Sequence, residues 1–74
     1  MFLENTYFIM KITINSNAHE TLSTTVAGLS KELGLPDSGV ALAVNYQMVT
    51  REKWAETLLK ENDDILIIKA ASGG

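Results

Sequence analysis

Two glycines close the sequence, Gly73-Gly74, and they are the residues best suited to chemistry in a chain that offers little else. Glycine has no Cβ, so its backbone adopts conformations closed to other residues and passes through narrow channels. A chain end that is not tied into a sheet is exposed and mobile, which is the expectation for residues 70–74. The pair therefore makes a slender tail with a free carboxylate, able to enter another protein's active site. A carboxylate is a poor electrophile, but ATP can convert it to an acyl-adenylate that a sulfur or nitrogen nucleophile will attack. With glycine at about 7% of residues, two final glycines arise by chance in on the order of 0.5% of chains. That is uncommon without being decisive, so the rest of the chain has to supply the context.

The other candidates are weaker. His19 is the only histidine and there is no cysteine, so metal ligation is poorly supported and a surface histidine explains it better. Glu61, Asp63 and Asp64 could suggest a cation site, but their spacing fits no EF-hand loop, and a solvated acidic turn is the simpler account. Ser23-Thr24-Thr25 lacks a partnering base for nucleophilic catalysis, whereas helix capping accounts for the cluster. Gly28 and Gly34 are not arranged as a phosphate-binding loop. Trp54 could anchor a partner, but in a small chain a core plug is the better reading. Nothing in the body performs a reaction by itself, which argues against a free-standing enzyme.

The elements that must present the tail follow from periodicity. Residues 7–15 alternate, with Phe8, Met10, Ile12 and Ile14 on one face and Lys11, Thr13 and Asn15 on the other, as in a half-buried strand. The polar run 15–18 predicts a turn, and His19 to Leu22 a short returning strand. Ser23, Thr24 and Thr25 offer caps for a helix over VAGLSKEL, striped by Val26, Leu29 and Leu33 with Lys31 and Glu32 turned away. Gly34 suits the left-handed residue after that helix. Within it, Gly28 signals either close packing or tolerance.

Val40–Val44 predicts a strand, 45–47 a turn, and Met48-Val49 a short strand. Thr50 could cap a helical segment REKWAETLLK, with Trp54 and Leu58 on one face and a Glu56–Lys60 ion pair. Glu61–Asp64 predicts a turn in which Asn62 tolerates left-handed φ. Ile65–Ile68 is apolar on both faces, as in the centre of a sheet, and is expected to lie parallel to the first strand. The order β-β-α-β-β, short helix, β implies a mixed sheet with one main helix on one face, an α+β fold.

Composition sets the remaining bounds. The chain has 74 residues, 46% hydrophobic and 20% charged, enough for one small domain over residues 1–74 with a modest core. Without cysteines it depends on packing alone. The formal net charge is −3 and the six basic residues are scattered, which argues against a nucleic-acid surface. No apolar run is long enough to span a bilayer, and Met1–Thr6 has no basic run of a secretory leader, so no membrane partner and a cytoplasmic location are expected.

The run ALAVNYQMVTREKWAETLLKENDDILIIKAASGG resembles the ThiS family of sulfur carriers. The family pattern is an apolar strand ending in V-N, a short turn, V-P-R, a Trp three residues on, L-x-x-G-D, an apolar strand and a terminal GG. Val44-Asn45, Val49, Arg51, Trp54, Leu59, Asp63, Ile65 to Ile68 and Gly73-Gly74 match in order and spacing, and TTVAGLSKELGL is similar to the family's T-V-x-x-L stretch. Thr50 stands in place of the usual proline and Asn62 in place of the usual glycine. The pattern begins near Met10, so residues 1–9 form an extension to it. The related molybdopterin-synthase small subunit shares the fold and the terminal GG but usually lacks R-x-x-W. That subunit, a sulfur carrier of another pathway and a ubiquitin-like interaction module with an incidental GG are the alternatives.

The resemblance implies a ubiquitin-like β-grasp fold and a carrier that binds no cofactor itself. A ThiF-like adenylyltransferase would use ATP and magnesium to adenylate Gly74, and sulfur from a persulfide donor protein would displace AMP. The resulting thiocarboxylate would go to a ThiG-like thiazole synthase. Gly73, Ser72 and Ala71 would lead Gly74 into the partners' active sites.

Overall fold

The computed structural model describes residues 9–70, and the tail residues Ala71, Ser72, Gly73 and Gly74 lie outside them. The elements are β1 (Met10–Ile14), β2 (Asn17–Thr21), α1 (Val26–Leu33), β3 (Val40–Val44), β4 (Gln47–Val49), a 3₁₀ helix (Arg51–Glu56) and β5 (Asp64–Lys69). They form a five-stranded sheet in the order β2-β1-β5-β3-β4. β5 runs parallel to β1, and the other neighbours are antiparallel. One helix packed on one face of this mixed sheet is the expected ubiquitin-like β-grasp.

Both hairpins are tighter than the sequence predicts. Asn15 and Ser16, and likewise Asn45 and Tyr46, all have positive φ, which gives two-residue turns whose twist matches that of the strands. The tight first turn starts β2 at Asn17, two residues before the expected His19, and leaves Leu22 beyond its end, 55% exposed. The first strand starts at Met10 among the described residues, and the expected contribution of Phe8 lies outside them.

Helix α1 follows its sequence signals closely. The Thr25 hydroxyl caps its start by accepting from the Gly28 N–H at 3.0 Å. A Cβ on Gly28 would come within 3.3 Å of that hydroxyl, so this glycine reflects close packing. At the other end Gly34 has φ 70°, and the N–H groups of Gly34 and Leu35 return to the Lys31 and Ser30 carbonyls. Val26 and Leu29 are fully buried against Ile12, Leu42 and Ile65 of the sheet, with Trp54 and Leu59 closing the core.

The segment after β4 departs from expectation. Helix stops at Glu56, and Thr50 makes no side-chain cap. Thr57 is extended, its carbonyl accepts from Val26 N–H at 3.0 Å, and Leu59 N–H donates to Thr24 O at 2.9 Å. This β-bridge outcompetes further helix because it satisfies the free N–H at the start of α1 and turns Leu59 into the core. Leu58 is consequently 67% exposed instead of sharing a helix face with Trp54. The Glu56–Lys60 pair is replaced by Lys53–Glu56 at 3.8 Å.

β5 is central in the sheet but is not buried on both faces. Ile65 is fully buried, whereas Ile68 is 55% exposed, because only one face carries a helix. The uncovered face displays Leu66 and Ile68 of β5 beside Ala43 and Ala41 of β3, with Met48 of β4 next to Ala43.

Candidate functional site

β5 is the element that would carry a chemically active tail, so the question is what holds it. The two hairpin asparagines grip it from opposite sides. Asn15 accepts from Ile67 N–H at 2.8 Å through its side-chain oxygen, donates from Nδ2 to Ile67 O at 3.3 Å, and gives its backbone N–H to Ile65 O. Asn45 accepts from Asp64 N–H at 2.9 Å and returns its own backbone N–H to Asp64 O at 2.7 Å. Each side chain thereby extends a ladder past the end of its own strand. Asparagine suits both places because it tolerates left-handed φ and carries a donor and an acceptor on one short arm.

Asp63 anchors the start of β5 and corrects the expectation of a solvated acidic turn. It is 3% exposed; Oδ1 accepts from Asn45 Nδ2 at 2.9 Å and Oδ2 from Lys60 N–H at 2.8 Å. These two bonds compensate its burial. Asp64 accepts from the Thr13 hydroxyl at 2.9 Å, and Asn62 has the left-handed φ of 71° expected of it. The exit of the strand is fixed as well, since Ala70 N–H donates to Gly39 O at 2.7 Å. Gly39 has φ 79°, a conformation that admits glycine readily. Every bond described here secures β5 up to Ala70. Ala71, Ser72, Gly73 and Gly74 follow Ala70 in the sequence and lie outside the described residues.

The remaining candidates take structural places. Trp54 is 3% exposed, donates from Nε1 to Val49 O at 2.9 Å and carries the Arg51 guanidinium 4.1 Å from its ring centroid, so it is a core plug. Arg51 also donates to Pro36 O at 3.2 Å, tying the 3₁₀ helix to the loop after α1. Among the described residues no group of three or more His, Cys, Asp or Glu gathers as a metal site. No described helix is long and apolar enough to cross a membrane.

Helical periodicity turns Glu32 away from the core, and in the structure it leans onto β2. It accepts from the hydroxyls of Thr21 and Ser23, and His19 Nε2 lies 2.8 Å from its Oε2. Partial burial works to raise its pKa, but the bonds from Thr21, His19 and Ser23 outweigh this and hold it below the ordinary 4.5. A depressed carboxylate pKa contributes stability above the ordinary value and loses it as pH falls through the folded one. Glu32→Gln is therefore expected to narrow the gap between urea midpoints measured at neutral pH and at about pH 3. An unchanged gap would contradict this role.

Sequence reasoning missed the Asn15, Asn45 and Asp63 grip, although the two asparagines did mark the turns. With the geometry established, three likenesses to known proteins can be added. A model of the ThiS family matches residues 11–74. The sulfur carrier protein ThiS of Escherichia coli (strain K12) is 36% identical over 66 residues, covering 88% of this chain and 100% of that protein. The crystal structure of a thiamine biosynthesis protein (ThiS) from Geobacter metallireducens aligns with TM-score 0.75 at 22% identity, covering 88% of this chain and 100% of that one, a likeness of fold. With the β-grasp sheet, the strand that leads to Gly73-Gly74 and a match running through that pair, the chain belongs to the ThiS family.

Proposed function

We propose that this chain is the sulfur carrier of thiazole formation in thiamine biosynthesis, with sulfur held as a thiocarboxylate on Gly74. The observation that carries the reading is the family match over residues 11–74, which reaches the terminal glycine pair. A ThiF-like adenylyltransferase, using ATP and magnesium, joins the Gly74 carboxylate to AMP with release of pyrophosphate. The terminal sulfur of a persulfide on a donor protein displaces AMP to give an acyl disulfide. A thiol reductant cleaves its S–S bond to leave the thiocarboxylate on Gly74, and a ThiG-like thiazole synthase receives it. Ala71, Ser72 and Gly73 are the lead-in, small enough to thread into both partners. The chain acts as a cosubstrate in the cytoplasm, and its partners provide the catalytic groups.

The test is intact-mass measurement after incubation with ATP, the activating enzyme and a sulfur donor. The expected result is exchange of one C-terminal oxygen for sulfur, localised to Gly74 by fragmentation. A mass that stays unchanged while the enzyme remains active on a known carrier would overturn the proposal.

A further inference from the structure

β4 is an edge strand, and the direction of its backbone groups follows from the register. Asn45 N–H donates to Asp64 O, toward β5, so Ala43 and Ala41 bond in that direction while Val44 and Leu42 bond toward β4. Ala43 is opposite Met48, which makes that pair non-hydrogen-bonded and points the Met48 N–H and C=O outward from the sheet. The segment after the 3₁₀ helix repeats the situation. The Thr25–Leu58 bridge is bracketed by Val26 N–H to Thr57 O and Leu59 N–H to Thr24 O, so the Leu58 N–H and C=O face away from Thr25.

Met48 and Leu58 line one groove of about 670 Å³, and the two residues are 63% and 67% exposed. Its polar lining includes Lys53 and Lys60, two of the six basic residues in a chain of net charge −3. Asp63 also borders the groove, but its oxygens accept from Asn45 and Lys60 N–H within the fold. The Lys53–Glu56 pair is long and exposed, so it leaves the ammonium open to a better partner. Lysines placed on an edge strand itself guard it against aggregation. Neither lysine here belongs to β4; they flank the groove from the 3₁₀ helix and the segment before β5.

We infer that this groove binds an extended acidic segment of a partner protein by strand addition. The segment bonds through its backbone to Met48 and Leu58, lays apolar side chains over theirs and sets carboxylates against Lys53 and Lys60. Strand addition takes affinity from main-chain bonds and specificity from alternate side chains. Complementary charge adds discrimination between segments. The inference stands independently of sulfur carriage, because it rests on described residues of β4, the 3₁₀ helix and the segment before β5.

The test titrates the isotope-labelled full chain with a short blocked peptide of alternating valine and glutamate. Controls are its lysine-for-glutamate counterpart, a copy N-methylated at alternate amides, and free glutamate. Shifts and slowed exchange centred on the Met48 and Leu58 amides are expected. N-methylation and the lysine counterpart should each weaken binding by at least about tenfold. A Lys53→Glu, Lys60→Glu chain, with unfolding monitored alongside, should come to prefer the lysine peptide. No shift at millimolar peptide, equal binding of both charge types, equal shifts from free glutamate, or shifts centred on Leu66 and Ile68 would each overturn the inference.

Discussion

Deleting Gly74, or adding one alanine after it, is expected to abolish ATP-dependent activation while leaving thermal unfolding where it was. Both halves follow from where β5 is secured. Its ladder bonds, the Asn15 and Asn45 clasps and the Ala70–Gly39 bond all lie before residue 71, so altering the last residue removes none of them. The chemistry is sensitive because one residue advances the chain by about 3.3–3.6 Å. A misplacement of about 1 Å at a reacting centre can cost 10²-fold, so a full residue should cost more than that. An added alanine also places a methyl group where a slender glycine was required. Pyrophosphate release with the activating enzyme gives the rate, and calorimetry checks the fold. Activation within about threefold of the parent would reject Gly74 as the reacting residue, since placement effects are far larger.

The fold was largely legible because local signals agreed with one another. Helix α1 carried candidate caps at Ser23, Thr24 and Thr25, a stripe at Val26, Leu29 and Leu33 and a stop at Gly34. Thr25 is the cap, Val26 and Leu29 are buried with Leu33 half-buried beside them, and Gly34 ends the helix. The parallel pairing of the last strand with the first follows from the order of elements and also holds. The failures occurred where a distant partner decided. REKWAETLLK has helical propensity, but Thr24 and Val26 capture Thr57 and Leu59 across some thirty positions of sequence, and no local pattern announces that. Asp63 reads as a surface turn until Asn45 and the Lys60 N–H supply its partners. The apolar run Ile65–Ile68 signals a central strand, yet hydrophobicity does not reveal that one of its faces lacks a covering helix. For the tail, the reading rests on residue type and order, and the tail itself lies outside the described residues.

Trp54→Ala is expected to be the most damaging change in the body, and its cost can be divided among three contacts. The indole is 3% exposed and closes the core beneath the 3₁₀ helix, so truncation loses its burial and leaves a cavity, typically about 3–5 kcal/mol. Its Nε1–H donates to Val49 O, and losing that bond alone costs about 1 kcal/mol. The Arg51 guanidinium stacks on the ring from the exposed side, an interaction of about 0.5–1 kcal/mol. Stability near 0.05–0.15 kcal/mol per residue gives a chain of this length only about 4–11 kcal/mol in total. Trp54→Ala should therefore lower Tm by more than about 10 °C or unfold the chain outright. Trp54→Phe keeps most of the volume but loses the donor, and Arg51→Ala keeps the indole. The loss should therefore be largest for Trp54→Ala, smaller for Trp54→Phe and smallest for Arg51→Ala. Circular dichroism melts of the three variants test that order. If Trp54→Ala stays within about 1 kcal/mol of the parent, the indole is an exposed anchor for a partner and not the plug that seats β4 and the 3₁₀ helix on the core.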